Sequence, residues 1–124
     1  MLYIFGGLPG AGKSTLSQYL AREQQAVYLR IDTIEQALRD AGQLLQGPEG
    51  YMAAYAVAAD NLRQGLSVVA DSVNPLAVTR TAWRNVAAQL SASFVEIEVI
   101  CSDAAEHKHR VETRAVEING FELP

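Results

Sequence analysis

Apolar residues are spaced along this chain in two alternating ways. Short, largely apolar runs occur at Leu2-Tyr3-Ile4-Phe5, Ala26-Val27-Tyr28-Leu29-Arg30-Ile31 and Ser67-Val68-Val69-Ala70. Runs of this length, rich in β-branched and aromatic residues, predict buried strands. A fourth run, Phe94 to Cys101, alternates, with Glu96 and Glu98 outward. It predicts a strand less covered than the others. Between the runs, apolar positions recur at helical spacing. A helix opens at Ser14, with Leu16, Tyr19 and Leu20 on one face. A second spans Thr33 to Ala41 and stops at Gly42. A third spans Tyr51 to Gln64, with Met52, Tyr55, Ala59 and Leu62 sharing a face, and stops at Gly65. Pro75 suits the first turn of a fourth helix reaching about Leu90, and Asp103 caps a fifth running to about Ile118. Gln43 to Gly50, with two glycines and a proline, reads as a loop. This βαβα order predicts an α/β fold: a mostly parallel sheet with helices on both faces, its ligand at the carboxyl ends of the strands.

The first strand leads directly into Gly7-Leu8-Pro9-Gly10-Ala11-Gly12-Lys13-Ser14, a gapless match to G-x-x-x-x-G-K-[ST]. A glycine-rich turn can arise by chance; a strand before it and a helix after it make it a phosphate-binding loop. Gly7, Gly10 and Gly12 let the backbone turn sharply and approach an anion. Amides from Gly10 to Thr15 can donate to phosphate oxygens, aided by the helix N-terminus. Lys13 reaches the β- and γ-phosphates, and the Ser14 hydroxyl can ligate Mg²⁺. The expected cofactors are therefore ATP and Mg²⁺, with residues 7–15 holding the nucleotide.

Composition adds limits. At 124 residues the chain reads as one domain, and 49% hydrophobic residues suffice for a core. A net charge of −4 argues against broad nonspecific nucleic-acid binding. The single cysteine, Cys101, excludes an internal disulfide and reads as a buried thiol at a strand end. No signal-peptide pattern opens the chain and no apolar run approaches membrane-spanning length, so the expected setting is cytoplasmic.

Three further groups could carry chemistry. Asp71 ends the third strand, where an aspartate organises Mg²⁺; capping the following turn is the plainer alternative. Asp32 ends the second strand and precedes a helix. It reads as a general base for an acceptor hydroxyl, as an N-cap, or as both. Arg110 and Arg114 lie four apart on the fifth helix, where they could clamp a transferring phosphoryl group; a solvated charged face is the alternative. His107 and His109 show no metal-ligand spacing and read as surface residues. Trp83 reads as core, flanked by Arg80 and Arg84, which face an acceptor pocket or water.

Taken together, Gly7–Ser14, Arg30-Ile31-Asp32, Val69 to Pro75 and Arg110-Val111-Glu112-Thr113-Arg114 resemble the small P-loop kinases. That branch holds gluconate kinase, chloramphenicol phosphotransferase, zeta toxins and 5′-polynucleotide kinases. The resemblance is strongest to bacterial "AAA family ATPase" proteins of this kinase-like type and runs along essentially the whole chain. It implies a three-layer sandwich with a parallel sheet in the order 2-3-1-4-5. It also implies roles for Asp32 at the acceptor hydroxyl, Asp71 at the metal, and Arg110 and Arg114 in a lid. Several relatives carry an arginine three residues after the aspartate, where this chain has Glu35; that counts against a phosphorylated acceptor. Relatives also continue beyond the lid with a fifth strand and a helix, so the chain reads as lacking that strand. The expected function is Mg-ATP-dependent phosphorylation of a small hydroxyl-bearing acceptor, with slow ATP hydrolysis. A 5′-hydroxyl polynucleotide kinase and a nucleotide-binding module without transfer activity are the alternatives. The sequence assigns neither the acceptor nor the oligomeric state.

Overall fold

The computed structural model describes residues 1–7, 13–45, 47–72, 77–103 and 108–115, with backbone alone at 77, 78 and beyond 99. The elements in chain order are β1 (Leu2–Gly6), α1 (Lys13–Glu23), β2 (Val27–Arg30), α2 (Ile31–Asp40), α3 (Glu49–Arg63), β3 (Val68–Asp71), α4 (Ala77–Gln89), β4 (Phe94–Asp103) and β5 (Lys108–Ala115). The sheet order is β2-β3-β1-β4-β5. The first four strands in that order are parallel, and β5 runs antiparallel to β4.

Strand alternation divides the core into two layers. Leu2 and Ile4 of β1 and Val68 and Ala70 of β3 meet Ile31, Ala54, Ala58, Leu62, Trp83 and Ala87 from α2, α3 and α4. Tyr3 and Phe5, Val69, and Val95, Ile97 and Val99 of β4 meet Leu20 and Ala21 of α1. Successive strand side chains point to opposite faces, so each apolar run feeds both layers. Trp83 is fully buried, as expected, and stands edge-on to Tyr55 with ring centroids 4.7 Å apart. Both glycine stops hold: α2 ends two residues before Gly42 and α3 two before Gly65.

Several expectations are corrected. The buried stripe of α1 is Ser17, Leu20 and Ala21, while Tyr19 is half exposed. On α3 the buried stripe is Gly50, Ala54, Ala58 and Leu62, and Met52 faces solvent. In both helices small residues in the stripe let the helix lie close to its neighbours, while Tyr19 and Met52 turn outward. Glu96 is buried rather than outward, because Arg84 of α4 pairs with it; Glu98 is exposed as expected. The largest correction concerns the segment expected to form the lid helix. Residues 108–115 form β5, which fills the fifth place in the sheet. The physical reason is legible afterwards. Lys108, Arg110, Glu112 and Arg114 alternate with His109, Val111, Thr113 and Ala115, a period of two with two β-branched residues. A spacing of four is also a multiple of two, so the arginine pair fits either element.

Candidate functional site

The site is built where β1 and β3 end side by side. Phe5 registers with Asp71, and Arg30 of β2 registers with Asp71 from the other side. Gly7 follows β1 with φ +134°, and a Cβ there would lie 2.3 Å from the Val99 carbonyl oxygen of β4. The first glycine of the phosphate loop is thus required twice, by its backbone conformation and by the neighbouring strand.

Lys13 opens α1 and its Nζ pairs with Asp71 Oδ1. The lysine side chain is 10% exposed and the aspartate side chain fully buried. The other oxygen of Asp71 is also held. Tyr28 Oη of β2 donates to Oδ2 at 2.6 Å, and Ser17 Oγ of α1 lies 2.9 Å from the same oxygen. Ser17 Oγ is also 3.1 Å from the Ser14 carbonyl and 3.4 Å from Tyr28 Oη, so its single hydrogen has three acceptors within reach, Asp71 Oδ2 the nearest. Burial pushes the Asp71 carboxyl up. The Lys13, Tyr28 and Ser17 hydrogen bonds and the Lys13 charge outweigh it and hold the group below its ordinary value. Burial, then the bond to Asp71, pushes the Tyr28 phenol up.

Of the expected loop residues, Gly7, Lys13, Ser14 and Thr15 lie at this edge; Leu8, Pro9, Gly10, Ala11 and Gly12 lie outside the described residues. Ser14 is half-buried and Thr15 exposed. Asp32 differs from expectation. It neither ends β2 nor caps α2: Arg30 holds the N-cap position, and Asp32 sits in the first turn of the helix. It is exposed and lies 3.6 Å from Arg30. Arg110 and Arg114 are on β5, opposite Ile100 and Glu96. On a helix their Cβ atoms would be about 6 Å apart. On a strand they are separated by about 13 Å, with Arg110 the nearer to the carboxyl end of β4.

Ser17 and Tyr28 are the members of the cluster that the sequence reading missed. Tyr28 was hidden inside an apolar strand run. Ser17 carries a signal at helical spacing: with Leu20 and Ala21 it continues the stripe of α1 that faces the sheet, one turn beyond Lys13. Arg84, expected to face an acceptor pocket or water, is committed to Glu96.

Asp71 and Ser14 offer hard oxygen donors of the kind Mg²⁺ takes. Among the described residues no three His, Cys, Asp or Glu side chains converge on a metal position. Mg²⁺ held mainly by phosphates and water needs no such cage, so the residues present fit it. No helix among the described residues is long and apolar enough to cross a membrane.

Comparison with known proteins agrees with this fold. A candidate kinase from Chloroflexus aurantiacus superposes with a TM-score of 0.69 at 25% identity, covering 78% of this chain and 57% of that one. The Mycobacterium tuberculosis APS kinase CysC, in complex with AMPPNP and APS, superposes with a TM-score of 0.58 at 22% identity. That match covers 78% of this chain and 60% of the enzyme, and it is a likeness of fold. The chain thus spans less than two thirds of the chain in each of these two structures. No curated protein matches it. The sequence profile of the AAA_33 family, an AAA domain, matches residues 2–123. With the parallel order β2-β3-β1-β4 and the phosphate-loop lysine set against a strand-end aspartate, the chain belongs to the AAA_33 family, in its P-loop, kinase-like form.

Proposed function

We propose that this chain carries the nucleotide site of a Mg-ATP-dependent kinase acting on a small hydroxyl-bearing acceptor. The observation that carries the reading is the meeting of Lys13 with Asp71 at the adjoining ends of β1 and β3. A lysine aimed at phosphates and a carboxylate able to organise a divalent cation are the two parts phosphoryl transfer cannot lack in this fold. Residues 7–15 would hold the nucleotide phosphates, and Ser14 and Asp71 would hold Mg²⁺, which neutralises charge on the phosphates when bound. Lys13 would neutralise charge developing on the transferring group. Asp32 would orient the acceptor hydroxyl and accept its proton. Its exposure on the first turn of α2 leaves it open to a ligand. Of the two arginines, Arg110 suits a role at the phosphoryl group better. β5 sets Arg114 back towards the middle of the sheet, opposite Glu96.

The nucleic-acid alternative gains nothing from the geometry. A basic groove would draw on Arg30, Arg39, Arg80 and Arg84, and two of these are already matched, Arg30 by Asp32 and Arg84 by Glu96. The test is a screen of the full-length protein with Mg-ATP against hydroxylated metabolites, antibiotics and 5′-hydroxyl oligonucleotides. Transfer to a small molecule is expected. Transfer to oligonucleotides alone would replace this reading. Nucleotide binding without transfer to any acceptor would favour a binding module.

A further inference from the structure

We propose that the Lys13–Asp71 ion pair is a latch on the phosphate loop, and that Tyr28 and Ser17 set its strength. The inference rests on the nucleotide-binding reading of that loop. Lys13, the loop's cation, is engaged by Asp71 Oδ1. Nucleotide phosphates approaching Lys13 therefore meet a buried carboxylate. Either Lys13 leaves Asp71, or two anions share one cation; both weaken binding.

The other oxygen decides how firmly the latch holds. Tyr28 and Ser17 both bond Oδ2 and leave Oδ1 to Lys13. When Lys13 swings to the nucleotide, these two hydroxyls are what Asp71 keeps. With both donors present the carboxylate tolerates the loss. With Tyr28 removed it depends more heavily on Lys13, and the latch tightens. They are positioning residues, acting on the nucleotide only through Asp71.

This gives Asp71 opposite effects with and without metal. Without Mg²⁺ it competes with the nucleotide for Lys13. With Mg²⁺ it has a cation of its own to hold. The experiment is calorimetric titration of ATP into the wild type, Asp71→Asn and Tyr28→Phe, first in excess EDTA and then in Mg²⁺. In EDTA, Asp71→Asn is expected to bind ATP about tenfold or more tightly than wild type. Tyr28→Phe is expected to bind about threefold or more weakly. In Mg²⁺ the advantage of Asp71→Asn should vanish or reverse. A role confined to folding would not produce that sign change. If Asp71→Asn does not fold, Tyr28→Phe decides: unchanged or tighter metal-free binding overturns the latch. Binding of Mg-ATP by wild type, with no gain for folded Asp71→Asn in EDTA, overturns the latch and leaves the nucleotide reading intact. No ATP binding by any of the three proteins in either buffer overturns both.

Discussion

Lys13 and Gly7 show how little freedom the site leaves to single residues. Lys13 supplies the loop's charge, and losing one charge-assisted contact costs about 1.5–3 kcal/mol. Lys13→Ala should weaken Mg-ATP binding by that amount in calorimetry; unchanged affinity would remove the lysine from the site. Gly7 is constrained by shape. Its Cβ would overlap the Val99 backbone, and its φ of +134° suits no other residue. Gly7→Ala should destabilise the fold by about 1–3 kcal/mol in denaturant titration. Stability within error of wild type would show that β4 can move aside. The two aspartates should also separate. Asp71→Asn is expected to reduce both hydrolysis and transfer and raise the Mg²⁺ requirement, whereas Asp32→Asn should mainly reduce transfer. Equal loss of hydrolysis in both, with Mg²⁺ dependence unchanged, would contradict the division.

At the scale of elements, α4 and β4 share apolar core residues (Trp83 and Ala87 with Phe94) and one ion pair. Arg84 and Glu96 make it, with the glutamate nearly buried and the arginine partly in water. Arg84→Ala removes the exposed partner and leaves the buried one, the costly half of such a pair. A loss of about 1–3 kcal/mol is expected in chemical denaturation, and Glu96→Gln in that background should recover part of it. No recovery would mean that Arg84 acts through packing of its stem instead. The strand β5, in place of an expected helix, belongs to the same scale. Its alternating sequence was readable, but the capping aspartate and the arginine spacing of four spoke for a helix. Pairing with the open edge of β4 decides between them, because a strand gains its hydrogen bonds only from a neighbour.

Across the whole molecule, Asp71 joins three elements: α1 through Lys13 and Ser17, β2 through Tyr28, and β3 through its own backbone. Its carboxyl is held below its ordinary value of 3.8 despite burial. A group whose folded pKa is depressed stabilises fully above its unfolded value and loses that contribution as pH falls through the folded value. The nucleotide-free, metal-free protein should therefore lose stability on acidification below about pH 4, and Asp71→Asn should lose less. Denaturant titrations from neutral pH down to pH ~3 measure this; matching acid limbs in both proteins would exclude Asp71 as the source. The Tyr28 phenol works in the opposite sense. Its pKa is raised, so its contribution is present below its ordinary value of 10.0 and is lost as pH rises through the raised one.

Most of the scaffold was legible in the chain alone. Short apolar runs, glycine stops and a gapless loop motif are local signals, and they marked out four parallel strands and four of the helices. The loop's lysine and the strand-end Asp71 were legible for the same reason, since each sits at a boundary that the pattern marks. Tertiary structure decided what depends on neighbours far along the chain. It made Ser17 and Tyr28 partners of Asp71, although 54 and 43 residues separate them from it. It placed Asp32 inside a helix rather than ahead of it, and drew Glu96 inward to meet Arg84. It also settled 108–115 as a strand. A period in sequence reports which face a residue takes, but not what stands opposite that face; hydrogen bonds and ion pairs between elements arise only once the layers close.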